Sequence, residues 1–170
     1  MIEIYKYYAK CNQAINAKMI NILEGLDFNI YDPKIDGYFK SIGEILDHYY
    51  TGDMTWLNSF RTVKEYSIFK YPVFDSIPKF GDQLFHSISE YKKSRANLDG
   101  IIIELIDEIK VEDLDKIVTR INRLGQKQEK IFWRSLVHMF NHQTHHRGQI
   151  SQILDQLKVE NDYSNMIFID

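Results

Sequence analysis

Four of the chain's six histidines fall within nine residues, in the stretch His138-Met-Phe-Asn-His142-Gln-Thr-His145-His146. Imidazoles ligate metals, carry protons or simply sit in a core, and their spacing decides which of them can act together. The stretch lies inside a run from about residue 131 to 157 whose apolar residues recur every three or four positions, the α-helical period. At ~100° per residue, with Leu136 at zero, Trp133, Phe140, Ile150, Leu154 and Leu157 fall within ~60° of the buried centre. His146 falls at about −80° and His142 at about −120°, together on one shoulder of that arc. His138, at about −160°, and His145, at about 180°, lie on the far side, facing solvent or a subunit contact. His142 and His146 are therefore an i, i+4 pair at the core's edge, ~6 Å apart along the axis. Two imidazoles at that spacing can grip one metal ion, although such pairs also arise by chance.

A metal site needs a further ligand. His48 lies in a second helical run, about residues 38 to 61, roughly 60° beyond the Ile45 edge of its apolar arc. Helix bundles build metal sites from inward groups on different helices. The wheel alone leaves the choice open. Glu44 and Asp53 compete, and each also reads as part of a solvated face. His86 has no partner in sequence and reads as a surface residue. Arg147 falls at ~20°, inside the apolar arc, so it needs a carboxylate or a subunit interface to meet its charge.

The elements that would position these groups follow from the same periodicity. A first helix is expected over about residues 2 to 26, with the stripe Ile4, Tyr8, Cys11, Ile15, Met19 and Ile22, ending at Gly25. A loop follows, marked by Asp27, Pro33 and Gly37. The second helix carries Gly52 at mid-length, a poor helix former that signals close approach or a local irregularity. Residues 63 to 81, with Pro72 and Pro78, read as a long connection packed by Phe69, Tyr71 and Phe74. Such a length in a compact domain often lines something. A third helix is expected over about residues 82 to 109, with Gly100 marking a bend. The β-branched run Lys116 to Asn122, a turn at Arg123-Leu-Gly-Gln126 and a return through Ile131 read as a two-stranded hairpin. The last apolar cluster, Met166 to Ile169, is expected to dock. The architecture predicted is all-α, a four-helix bundle with a small β-hairpin before the last helix, as one domain over residues 1 to 170.

Composition narrows the function classes. The net charge of −3 gives no global drive toward nucleic acid. A lone cysteine, Cys11, permits neither an intrachain disulfide nor a cysteine-based metal site, and reads as a small buried hydrophobe. No apolar run reaches the ~20 residues of a membrane span, and no leader is visible, so a soluble cytoplasmic protein is expected.

Asn141-His142-Gln-Thr-His145-His146-Arg147-Gly148-Gln149-Ile150 resembles the signature of the DinB family, the damage-inducible metalloproteins rather than the polymerase of that name. Ser41-Ile-Gly-Glu-Ile-Leu-Asp-His48, followed by Asp53 and Trp56-Leu57, is similar to that family's second-helix motif. The Tyr7-Tyr8-Ala9 start and the hairpin also fit. Gln143 departs from the pattern, standing where a small residue is usual, without touching the site. The resemblance implies a four-helix bundle of uncommon connection order, usually a homodimer, with a histidine triad of His48, His142 and His146. In that setting Arg147 becomes structural and Gly148 permits close helix approach.

Three neutral imidazoles would leave a divalent charge uncompensated and a coordination position open, the pattern of catalytic rather than structural zinc. Zinc is the first expectation, with nickel, iron or manganese as alternatives. The resemblance implies a metal-dependent thiol S-transferase, or a hydrolase, acting on a small electrophile. Glu44 or Asp53 would serve as base or supporting partner, and a low-molecular-weight thiol is the expected co-substrate. The alternative is a non-catalytic, metal-binding stress-response protein.

Overall fold

In the computed structural model, residues 2–32, 35–122, 124–167 and 169 are described. Four helices carry the fold: α1 (Ile2–Glu24), α2 (Ile42–Ser59), α3 (Ile88–Glu108) and α4 (Phe132–Gln156). The hairpin β1 (Ile117–Ile121) and β2 (Lys127–Ile131) precedes α4, pairing antiparallel from Ile117 opposite Ile131 to Ile121 opposite Lys127. α1 packs mainly on α3 and α2 mainly on α4, with α4 also touching α1. The all-α bundle with its small hairpin is the expected architecture.

Two helices begin later than periodicity alone suggests, at residue 42 rather than 38 and at 88 rather than 82. Both starts are set by Ser-x-x-Glu boxes. Ser41 is extended, and its side chain accepts from the Glu44 amide; Ser87 does the same for Glu90. Each glutamate reaches back, Glu44 Oε2 accepting from the Lys40 amide and Glu90 Oε2 from the His86 amide, both at 2.8 Å. The residues ahead of each box are therefore committed to non-helical backbone.

The buried face of α1 holds Cys11, Ile15 and Met19 of the expected stripe but is wider than that stripe and leaves out its first two residues. Tyr5, Ala9, Asn12 and Asn16 are buried, while Ile4 is 58% and Tyr8 37% exposed on a groove shared with α4. The helix is covered from two sides, by α3 and α4, so its buried arc is broader than one apolar stripe. α3 runs unbroken through Gly100. Gly148 does not mediate close approach, since a Cβ there would meet nothing within 4 Å.

The hairpin turn is organised by Asn122, whose Oδ1 accepts from the Leu124 and Gln126 amides, with Gly125 at φ 75°. Arg123 of that turn, Pro33 of the first loop and Phe168 of the tail lie outside the described residues. The connection after α2 forms three short 3-10 turns, and Phe69 and Phe74 are buried within it as expected. Cys11 is fully buried. The tail docks in part. Tyr163 donates to the Arg147 carbonyl at 3.0 Å, and Tyr7 to the Met166 carbonyl at 2.7 Å, while Ile167 stays exposed.

Across the bundle's interior runs a polar network with a member on every helix. Arg95 (α3), fully buried, donates to Asp53 Oδ2 (α2) at 2.6 Å and to Asp99 Oδ1 (α3) at 2.7 Å. Asn16 (α1) donates to both Asp99 oxygens and accepts from Tyr49 (α2) at 2.8 Å. Gln143 (α4) donates to Asp53 at 3.0 Å. Arg147 (α4) donates to Asn16 Oδ1 and to the Tyr49 hydroxyl, both at 3.2 Å, and to Thr144 Oγ1 at 3.3 Å. The partner expected for Arg147 was a carboxylate or a second subunit. Its direct partners are instead neutral groups of this chain, and the balancing carboxylates sit one hydrogen bond further away. Asp53, expected on a solvated face, has no exposed surface. Burial pushes its carboxyl up to about 6, although Arg95 and Gln143 both pull it down.

Removing one side of a buried ion pair strands the other charge without water. Arg95→Leu strands Asp53 and Asp99 together and should cost about 3–5 kcal/mol. Lys92→Ala, which removes an exposed pair with Glu24, should cost about 1 kcal/mol or less. Urea denaturation of both variants checks the contrast, and comparable losses would refute a structural role for the network.

Candidate metal site

His48 reaches the site from the second turn of α2, and His142 and His146 from the middle of α4. Their ring centroids are 5.3 Å (His48–His142), 4.7 Å (His48–His146) and 4.3 Å (His142–His146) apart. One nitrogen from each lies within 4.8 Å of the other two, so the three could hold a single metal ion. It is the only such cluster among the described residues. The expected triad is thus brought together. His138 and His145 are exposed beside it, their rings 6.1 Å from His142 and 4.9 Å from His146. His86 is on the surface, as expected.

The donor atoms fit a cation. His146 Nδ1 is 2.7 Å from Gln149 Oε1. A carbonyl oxygen only accepts, so Nδ1 carries the proton and Nε2 presents its lone pair to the site. His142 Nε2 is 2.9 Å from His146 Nε2. The two nitrogens either share a proton or share a cation. Burial and the neighbouring histidines lower both pKa values to about 4, so both rings are neutral at pH 7, the state a metal requires.

A cavity of about 510 Å³ opens onto His48. Phe39 and Phe80 pack on the His48 ring at 5.1 and 4.9 Å. Phe80 comes from the long connection, which does line something. The lining also carries Glu44, Asp47 and Asp82, with no lysine or arginine in it among the described residues. Sequence reading passed over Asp47. It is buried and accepts from the Tyr31 hydroxyl at 3.0 Å, and burial raises its carboxyl to about 6. Its position next to His48 was the available signal. Of the two carboxylates weighed before, Glu44 lines the cavity, and Asp53 is sealed in the network behind it.

Gln143, read above as a departure from the family pattern that does not touch the site, falls at about −20° on the α4 wheel, inside the apolar arc. A glutamine there must find a buried partner. It finds Asp53, immediately after Gly52, while His142 lies against Gly52 itself. Two adjacent residues of α2 thereby meet two adjacent residues of α4.

The lowered pKa values set a sign. In metal-free protein the folded rings stay neutral as pH falls from about 6.5 to 4, while the unfolded rings take up protons. The pair therefore withdraws stability as pH falls through that window. Asp47 and Asp53, with raised values, act in the opposite sense. The histidine contribution is isolated by comparison with His142→Ala/His146→Ala. Relative to that variant, metal-free wild type should lose stability between pH 7 and 4.5 in urea titrations, and a constant difference would refute it.

Comparison with known proteins agrees with the residues. No solved structure matches the chain significantly. Protein DinB of Bacillus subtilis (strain 168) is 24% identical over 175 aligned residues, covering 98% of this chain and 93% of that protein. The sequence profile of the DinB family matches residues 1–164. With nearly its whole length matched, the chain belongs to the DinB family.

Proposed function

We propose that the protein binds one divalent metal through His48, His142 and His146 and uses it to activate a small nucleophile, a low-molecular-weight thiol or water, against a small electrophile. The observation that carries this reading is the convergence of three imidazole nitrogens, one of whose rings, His48, lines a cavity large enough for a small molecule. A divalent ion on three neutral ligands would supply positive charge that favours a thiolate or hydroxide at neutral pH. Zinc suits the set best, and nickel, iron and manganese are alternatives.

This chain's own residues would do the rest. Gln149 holds the His146 ring in its ligating tautomer. Phe39 and Phe80 shield one side of His48 and offer an apolar wall to a substrate. Asp47, Glu44 and Asp82 are the carboxylates in the cavity lining that would accept a proton. A metal-binding protein without turnover is the second reading, and the same three-histidine cluster supports it.

Elemental analysis tests the site. His48→Ala, His142→Ala and His146→Ala should each lose stoichiometric metal, whereas His145→Ala should keep it; metal retained in both α4 variants would refute the assignment. Metal-dependent consumption of a thiol with a generic electrophile is expected of the wild type, and no turnover across several thiols and esters would favour the binding-protein reading.

The homodimer implied by the resemblance has a candidate face in the apolar groove of about 480 Å³ between α1 and α4, where Ile4 and Val137 are 58% and 48% exposed. Light scattering should give a dimer that Val137→Glu disrupts; a monomeric wild type at micromolar concentration would refute it.

A further inference from the structure

The two ligands on α4 are oriented by different means. His146 has the usual device, a hydrogen bond from its non-ligating nitrogen to Gln149 at 2.7 Å. His142 has none, because its Nδ1 is buried and has no hydrogen-bond partner. What fixes the His142 ring must therefore be shape.

The shape is supplied by Gly52. A Cβ built on Gly52 would lie 2.6 Å from His142 Cε1, 3.1 Å from Nδ1 and 3.6 Å from Nε2. The ring edge carrying both nitrogens thus rests on the α2 backbone, in the space a side chain would fill. Real Cβ atoms do not approach a ring carbon that closely, so any residue but glycine must push the ring away. The flanking contacts leave it little room. His138 stacks on one side at 6.1 Å and His146 stands edge-on at 4.3 Å. The next residue on each helix is fixed as well, by the Gln143–Asp53 hydrogen bond, so α2 and α4 cannot easily part to absorb a methyl group.

We infer that Gly52 is the positioning residue of the metal site, its bare backbone seating the His142 imidazole so that Nε2 faces His146 and His48. The inference rests on the proposed metal reading, and it explains why a helix tolerates glycine at its middle, where glycine weakens helices. Gly52 contributes no ligand atom; it acts only through the ring it seats.

The test uses internal controls. Gly148 and Gly100 also lie inside helices, but a Cβ on either meets nothing within 4 Å. Gly52→Ala, Gly148→Ala, Gly100→Ala and wild type are loaded with cobalt(II), and affinity, the visible ligand-field spectrum and the histidine count from X-ray absorption are measured. Gly148→Ala and Gly100→Ala should bind as wild type does. Gly52→Ala should bind about 10- to 100-fold more weakly, as when a group supporting a metal ligand is removed. Its histidine count should fall from three to two, with unchanged helical circular dichroism. A merely structural glycine would not move the histidine count. Wild-type affinity together with three histidines in Gly52→Ala overturns the inference and leaves the metal site standing. Failure of wild type to bind cobalt or zinc sinks the metal reading itself. Should Gly52→Ala lose helicity, Gly52→Ser is measured alongside, and a three-histidine spectrum in a folded variant of either kind again overturns the inference.

Discussion

Arg95 holds two carboxylates inside the bundle, where all three groups are buried. A buried charge without a partner costs several kcal/mol, so this arrangement permits few alternatives. Asp53, Asp99, Asn16, Tyr49, Gln143 and Arg147 complete it, and together they come from all four helices. Two arginines face two aspartates. Sliding any helix by one turn would leave a charge or a buried amide unanswered, whereas apolar packing alone tolerates many registers. The network therefore does what the apolar core cannot, and fixes how far along its axis each helix sits.

The candidate metal site inherits that register. Asp53 and Gln143 are one residue beyond Gly52 and His142, so the bond that aligns the network also seats the imidazole against the α2 backbone. His48 lies one helical turn before Gly52 on the same helix and completes the triad from the cavity side. The network is sealed and charge-balanced. The triad, by contrast, is only partly buried, with a cavity beside His48. Rigid charge behind and an accessible face in front is the division a reactive metal site needs, because ligands must hold their geometry while solvent and substrate exchange.

The cavity's lining adds a chemical bias. Its acidic residues, Glu44, Asp47 and Asp82, give a local field that would moderate the charge of a divalent ion on three histidines. Asp47 is the most buried of them and is the carboxyl that burial raises to about 6. Burial thus brings this carboxyl toward neutrality, where a proton acceptor is of most use.

Much of this was legible along the chain. Helical spacing put His142 and His146 on one face, since side chains four apart share a face whatever surrounds the helix. The hairpin followed from a β-branched run and a turn, both local features. The helix starts at Ser41 and Ser87 were equally local, written as Ser-x-x-Glu boxes that periodicity alone did not weigh. Gly52 announced a close approach without saying to what. Only the tertiary structure decided the rest. A helical wheel gives azimuth but not depth or register, so it could not choose His48 over Glu44 and Asp53, bury Asp53, or find Gln143 as its partner. Nor could it predict that Arg147 would be met by Asn16 and Tyr49, residues 131 and 98 positions away. Contacts that distant in sequence depend on how four helices pack together, and no short window of the chain contains that information.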